Sequence, residues 1–355
     1  MWLSNLDRRV IATLRDKALR RETPGPRIAV LGNCHSLDIA YAMKLLNVNA
    51  IVHRYPIQTK AKINGNMLVR ALRTYDHVFL QHFGGDLVRG ASSDFLSQQL
   101  SNASVYPTLL FGGYHPDSIF VYDRAKGGAF VWGPIGQHHS AIALFAYRTG
   151  FSAEAALRLY EPEVFETLGY FDLWGAAGVQ LLQSAKSHSL DLQADFLRWT
   201  RRGCFMYTIN HPKPHVFFDI ARRLFDAAGI AMEPVNFDHY AIDDLARDVV
   251  FPVYPAIAEH FGMEGSYVFK AAQHSPGGLN IGSFYDLPGF LRESYRVYAR
   301  HDASDLSNER VQGWLENPEI CRFLQEFAAA KGGSAVLPKS QHARSPELAP
   351  SVGVG

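Results

Sequence analysis

Short blocks dominated by apolar residues recur through the first third of the chain, at positions 27–31, 50–52, 77–80 and 108–111. Blocks of this length suit strands buried on both faces, as in parallel sheets. Between them, at 36–46, 67–73 and 93–100, apolar residues return every three or four positions. That is the spacing of one helical face. Strands alternating with helices predict βαβ units with right-handed crossovers, hence a parallel sheet covered on both sides in a three-layer α/β arrangement.

Helical spacing then takes over. Residues 141–148, 153–160, 164–187, 192–201, 216–228, 241–261 and 286–300 read as helices, interrupted by a strand-like run at 204–208. At the start of the chain Trp2, Leu3, Leu6, Val10, Leu14 and Leu19 form a stripe among Arg8, Arg9, Arg15, Lys17, Arg20 and Arg21. Such a helix packs its stripe on the body; a second reading lays residues 1–21 on a membrane surface. The chain therefore divides into an amphipathic helix and linker (1–25), an α/β part (26–140), a mostly helical part (141–330) and a Gly-, Ser-, Pro- and Ala-rich tail (331–355), expected to be disordered.

Composition narrows the partners. The chain has 355 residues, 47% hydrophobic and 19% charged, with 35 basic and 34 acidic side chains. A net charge of +1 provides no global field for nucleic acid, so an anionic ligand needs a local cluster. Arg54, Lys60, Lys62, Arg70 and Arg73 concentrate after the second strand and could receive phosphates, although a solvated helix face is the default explanation. Cys34, Cys204 and Cys321 are odd in number and widely spaced, which argues against a disulfide framework and fits a reducing cytoplasm. No apolar run approaches the roughly 20 residues of a membrane span. Nothing in the sequence sets an oligomeric state.

Reactive residues gather where predicted strands end. These ends are Gly32-Asn33-Cys34-His35, Gln81-His82-Phe83-Gly84-Gly85-Asp86, Gly112-Gly113-Tyr114-His115-Pro116-Asp117 and, later, Asn210-His211-Pro212-Lys213. In open α/β sheets ligands bind at the carboxyl ends of strands, so the four segments are expected to converge. Gly32 permits a tight exit that puts Cys34 at a helix N-terminus, where backbone amides favour a thiolate or hold an oxyanion. The alternative makes Cys34 a small buried apolar residue. His115, with Asp117 orienting it, or His211 is a candidate base; alternatively Asp117 caps the next segment and each histidine merely ends its strand. His82 and the pair His138-His139 read first as structural residues. No H-E-x-x-H or other ligand spacing supports a metal, and no G-x-G-x-x-G or P-loop follows a strand.

The motifs V-L-G-N-C-H at 30–35, F-G-G-Y-H-P-D at 111–117 and I-N-H-P-K at 209–213, in that order, resemble the WcbI polysaccharide-biosynthesis proteins over residues 27–230. His35 stands where that family usually carries glutamine. The resemblance implies a cradle-like fold containing an SGNH-like subdomain, with coenzyme A held in a basic groove as acyl donor. It implies Cys34 near the coenzyme's thiol end with His115 and His211 close by, and a binding set of Gly32, Asn33, Cys34, His35, Gln81, His82, Gly113, Tyr114, Arg54 and Lys60. The expected activity is O-acyl transfer, acetyl in the first instance, from acetyl-coenzyme A to a sugar of a capsular or other surface polysaccharide or its precursor. The expected place is the cytoplasm, including the inner face of the membrane.

Two routes are chemically reasonable: attack by Cys34 to form an acyl-enzyme, or direct attack by the sugar hydroxyl with a histidine as base. An SGNH-type esterase or deacetylase, or a non-catalytic sugar- or nucleotide-binding protein of polysaccharide assembly, are the alternatives.

Overall fold

The computed structural model describes residues 4–15, 24–57, 61–84, 87–272 and 283–330. The expected tail, Lys60, Gly85, Asp86 and part of the first helix lie outside the described residues. After α1 (Asn5–Arg15) the chain alternates through β1 (Arg27–Gly32), α2 (His35–Leu46), β2 (Ile51–Pro56), α3 (Gly65–Leu72), β3 (His77–Gln81), α4 (Ser93–Gln99) and β4 (Ala103–Tyr106). The four strands form one parallel sheet in the order β2-β1-β3-β4.

Both faces of that sheet are covered, which is why the central strands β1 and β3 are apolar along most of their length. Ile28, Val30 and Phe79 pack with α2 and with helices from later in the chain. Ala29, Leu31, Val78 and Leu80 pack with residues of α1, α3 and α4. The stripe of α1 is part of this second layer: Leu6 and Val10 are fully buried, and Asp7 accepts hydrogen bonds from the Lys62 and Ile63 amides at 2.8 and 2.9 Å.

The fourth strand is not where the apolar block 108–111 predicts. Pairing with β3 is made by Ala103–Tyr106, in the register Val78↔Ala103 to Gln81↔Tyr106. Pro107 has no N–H to donate and ends the ladder. Leu109 and Phe111 are apolar for another reason. They are buried in a loop, where the Phe111 amide donates to the Ile209 carbonyl at 2.8 Å and its ring lies 4.8 Å from that of Phe205.

The chain continues through β5 (Ser118–Phe120), β6 (Tyr122–Asp123), β7 (Ala129–Phe130), β8 (His138–Ser140), α5 (Ala141–Arg148), α6 (Ala153–Ala156), α7 (Pro162–Thr167), α8 (Leu173–Ser187), α9 (Gln193–Arg201), β9 (Met206–Thr208), β10 (His211–Pro212) and α10 (Pro214–Ala228). It ends with α11 (Pro255–His260), β11 (Phe269–Lys270), β12 (Phe284–Tyr285), α12 (Leu287–Tyr298), β13 (Leu306–Ser307), α13 (Glu309–Glu316) and α14 (Pro318–Ala330).

Two long predicted helices are broken. The run 164–187 splits where Gly169, at φ +69°, ends α7 in a left-handed cap. The run 241–261 is mostly loop, with a 3-10 turn at Leu245–Arg247 and one short helix that Pro255 opens. Phe145, Tyr170, Tyr254, Phe290 and Trp314 belong to a second core, around α5 and α12 to α14.

Candidate functional site

β1 and β3 are neighbours whose connections leave in opposite directions along the sheet, so the crevice at their carboxyl ends is the topological switch point. Gly32 and Gln81 occupy it. A Cβ at position 32 would stand 2.5 Å from Gln81 Oε1, so only glycine leaves room for this glutamine. Gln81 Oε1 accepts from the Asn33 amide at 3.0 Å, while its Nε2 donates to Thr108 Oγ1 at 2.9 Å and to His35 Nδ1 at 3.4 Å. The His35 Nε2–H donates to the Asn210 carbonyl at 2.7 Å, and this pattern fixes the neutral tautomer. Burial lowers the His35 pKa to about 4, against the Asn210 carbonyl and with the help of His211.

Cys34 begins α2, half-buried, its thiol 3.5 Å from Asn33 Oδ1. The expected thiolate is not what this environment favours. Burial pushes the thiol up to about 11; the His35 and Cys34 amides lower it but do not offset burial and the nearby Asp248 and Asp38. Arg54 crosses the turn, donating from Nε to Ser36 Oγ at 2.8 Å and from Nη2 to the Asn33 carbonyl at 3.1 Å. Tyr106, at the end of β4, lies within electrostatic reach of Arg54 and Cys34, and its buried hydroxyl has no hydrogen-bond partner.

The hairpin β9–β10 brings up the remaining histidines. His211 is buried with Nδ1 unpartnered, and its ring centroid is 6.0 Å from that of His138. His138 Nδ1 lies 3.2 Å from Ser118 Oγ. His115 is also buried beside Phe251; the carbonyls of Pro252 and Met206 are near, but neither ring nitrogen makes a hydrogen bond of good geometry. Burial lowers all three, His115 to about 4 and His138 to about 3. For His211 the loss is partly opposed by Asp248. Neutral imidazoles of His35, His138 and His211 thus stand around Asn210 next to the β1 turn, with His115 within electrostatic reach of His138.

Other expected members serve the fold. Asp117 does not orient His115: its carboxylate accepts from the Tyr254 and Tyr170 hydroxyls at 2.6 and 2.7 Å and from the Ile142 amide at 3.0 Å. It holds the start of α5, the capping alternative. Tyr114 is not at the turn but in an aromatic core with Phe111, Phe205 and Phe261, its hydroxyl donating to the Gly203 carbonyl at 3.3 Å. Gly113 is small because a Cβ would meet the Phe111 and Trp174 rings at 2.7 and 2.8 Å. His82 is exposed, 5.3 Å from the His188 ring. His139 is held by Tyr298 and the Val131 carbonyl.

Sequence reading overlooked Tyr106, Thr108, Asp38 and Asp248. The misplaced fourth strand hid the first two, and Asp248 fell in a run read as helix. Among the described residues no group of three or more His, Cys, Asp or Glu is arranged to hold a metal ion. A cavity of about 440 Å³ between α9, α10 and residues 235–238 is lined by Arg198, Arg202 and Phe237 among others, and by none of the turn residues.

Residues 27–233 match the family described as polysaccharide biosynthesis enzyme WcbI. The chain belongs to the WcbI family. The matched range contains the β1 turn, His115 and His211. A solved WcbI structure, described as a novel polysaccharide biosynthesis enzyme and as the native protein without a disulfide bond between coenzyme A and one of its cysteines, aligns with a TM-score of 0.56. It is 17% identical, and the alignment covers 86% of this chain and 99% of that one, a likeness of fold. No curated protein matches this WcbI-family chain significantly.

Proposed function

We propose that this WcbI-family chain is an O-acyltransferase that moves an acetyl group from acetyl-coenzyme A to a hydroxyl of a capsular or other surface-polysaccharide sugar or its precursor. One observation carries the reading: buried, neutral histidines with unpartnered ring nitrogens stand beside a glycine turn at the sheet's switch point. An unpartnered polar atom inside a protein requires an explanation, and a ligand bound at the switch point supplies one. The Asn33 turn, Cys34, Arg54 and Tyr106 would hold the thioester end of the coenzyme, which supplies the activated acyl group.

The chain's own residues favour direct transfer. His211, whose Nδ1 has no hydrogen-bond partner and whose lowered pKa keeps the ring unprotonated at neutral pH, can take the proton of an acceptor hydroxyl as the ester C–O bond forms and return it to the departing thiol sulfur as the thioester C–S bond breaks. Arg54 offsets negative charge that develops over the turn. Cys34, held as a thiol, donates a hydrogen bond in the resting state instead of acting as a nucleophile.

Calorimetric titration with coenzyme A and acetyl-coenzyme A tests the reading. Binding in the micromolar to millimolar range is expected, and its absence at millimolar concentration overturns the proposal. Release of acetate from acetylated sugar without the coenzyme would favour the esterase instead.

A further inference from the structure

A second polar surface lies beside Cys34, beginning one helical turn along α2 from it. Asp38 stands one helical turn after Cys34 on the same face of α2, is 8% exposed, and leaves Oδ2 without a hydrogen-bond partner. Asp243 and Asp244, on the loop that follows Tyr240, lie within electrostatic reach of it. The Tyr41 hydroxyl donates to the Tyr240 carbonyl at 2.6 Å, the Tyr207 hydroxyl donates to Asp243, and Lys270 donates to the Asp248 carbonyl at 3.0 Å. Asp248, on the same loop, is within reach of both Cys34 and His211. A second orphaned group, the Tyr106 hydroxyl, also lies within electrostatic reach of Arg54. Tyr240, 51% exposed, and Ile242, 50% exposed, belong to the same loop.

An orphaned buried carboxylate oxygen calls for a donor. A metal ion does not fit, since no ligand set of that geometry is present among the described residues. A phosphate-bearing ligand does not fit either. It would meet four carboxylates, Asp38, Asp243, Asp244 and Asp248, against two cations, the Arg54 guanidinium and the Lys270 ammonium, so net negative charge remains. A neutral polyol fits both features, because its hydroxyls donate charge-assisted hydrogen bonds to carboxylates and its C–H face packs on an exposed aromatic ring.

We infer that Asp38, Asp243 and Asp244 form the acceptor-sugar subsite, whose carboxylates hold sugar hydroxyls and present a neighbouring hydroxyl between Cys34 and His211. The inference rests on the acyltransferase reading for its name, though not for its binding test. Burial, reinforced by Asp244 and Asp243, raises the Asp38 carboxyl to about 7, so at neutral pH it can accept or donate toward a hydroxyl.

The test is saturation-transfer NMR on the full chain with methyl α-D-mannopyranoside, methyl β-D-galactopyranoside and methyl β-D-glucopyranoside. At least one glycoside is expected to bind with millimolar affinity, and Asp38→Ala and Asp244→Ala each weaken it about tenfold or more. Asp38→Asn keeps the shape and removes the buried charge, so it reports on the subsite should the alanine variant fail to fold. Arg201→Ala, in the arginine-lined cavity that none of these aspartates lines, leaves sugar binding unchanged. Coenzyme affinity, measured by calorimetry, stays within about twofold in the aspartate variants. The inference is overturned if no glycoside binds, if binding survives the Asp38 and Asp244 substitutions, or if coenzyme affinity falls in parallel with them. Sugar binding without coenzyme binding would sink the acyltransferase reading and leave the subsite standing; coenzyme binding without sugar would do the reverse.

Discussion

His35 Nε2 lies 2.7 Å from the carbonyl oxygen of Asn210, 175 residues further along the chain. This bond ties the turn after β1 to the β9–β10 hairpin. Gln81 approaches the other ring nitrogen, and Phe217 packs on the ring with centroids 5.2 Å apart. The imidazole is therefore a spacer that sets His211 relative to Cys34, and it works only while neutral, with one nitrogen donating and the other accepting.

That role predicts how substitutions at position 35 rank. Glutamine, the residue the resemblance leads one to expect there, can still donate to the Asn210 carbonyl, and His35→Gln is expected to cost no more than about 1 kcal/mol. His35→Leu leaves the buried carbonyl without its partner and is expected to cost about 2–3 kcal/mol. Urea denaturation of both variants decides the point. Equal losses would mean the hydrogen bond contributes nothing.

Gly32 makes a sharper case. An added methyl would stand 2.5 Å from Gln81 Oε1 and 2.9 Å from Gln81 Cβ, so Gln81 must move and release the Asn33 amide. Gly32→Ala is expected to destabilise by about 2–4 kcal/mol, combining overpacking with a lost hydrogen bond. Gly175→Ala, in α8 with no atom within 4 Å of the new Cβ, is expected to stabilise by up to about 1 kcal/mol. Thermal melts of the pair test whether close approach, and not glycine's flexibility, holds position 32.

The parts of this architecture that were legible in the chain are those fixed by local pattern. Residues 27–31 and 77–80 have to be buried on both faces, and Gly32 has to end the first in a tight turn. What escaped was decided elsewhere in space. Leu109 and Phe111 are as apolar as a strand, yet Pro107 and the ring of Phe205 make their segment a packed loop. Asp117 is two residues from His115, but the hydroxyls of Tyr170 and Tyr254, distant in sequence, claim its carboxylate. The helix N-terminus at Cys34 and its burial were both readings the chain offered; packing from distant segments decides that burial prevails.

Stability should fall steeply in mild acid. Burial lowers His35, His115, His139 and His215 to about 4 and His138 to about 3, below the ordinary value of 6.5. Between about 4 and 6.5 the unfolded chain therefore binds more protons, and stability rises with pH across that window. Asp38, raised to about 7, gives the opposite slope between 3.8 and 7, as does Asp117, also raised by burial, but these are two groups against six histidines once His211 is included. Urea midpoints measured from about pH 4 to 8 should rise and then flatten above about 6.5, and Asp38→Asn should steepen the rise. A flat profile would show that these histidines are not buried in the neutral form.

Asp117 offers a test of structure against catalysis. Asp117→Ala strands two tyrosine hydroxyls and the Ile142 amide inside the second core, at a cost of about 3–5 kcal/mol. Asp117→Asn keeps one acceptor and is expected to lose about 1–3 kcal/mol while turnover of the folded fraction stays within a few-fold. A shifted pH–rate profile in the asparagine variant, with stability intact, would restore Asp117 as the partner of a catalytic histidine.

Cys34 is where the two chemical routes separate. With its thiol pushed up to about 11, roughly one molecule in a thousand carries the thiolate at pH 8, compared with about a quarter for an unperturbed cysteine. Iodoacetamide should therefore alkylate Cys34 about 100-fold more slowly than glutathione at pH 8, and close to tenfold faster for each unit of pH above that. Peptide mapping by mass spectrometry distinguishes it from Cys204 and Cys321. If direct transfer operates, Cys34→Ala keeps turnover within about tenfold, whereas His211→Ala, which removes the base, lowers it by about 100-fold or more. Fast alkylation at neutral pH together with an inactive Cys34→Ala variant would instead make Cys34 the nucleophile and place the acyl group on its sulfur.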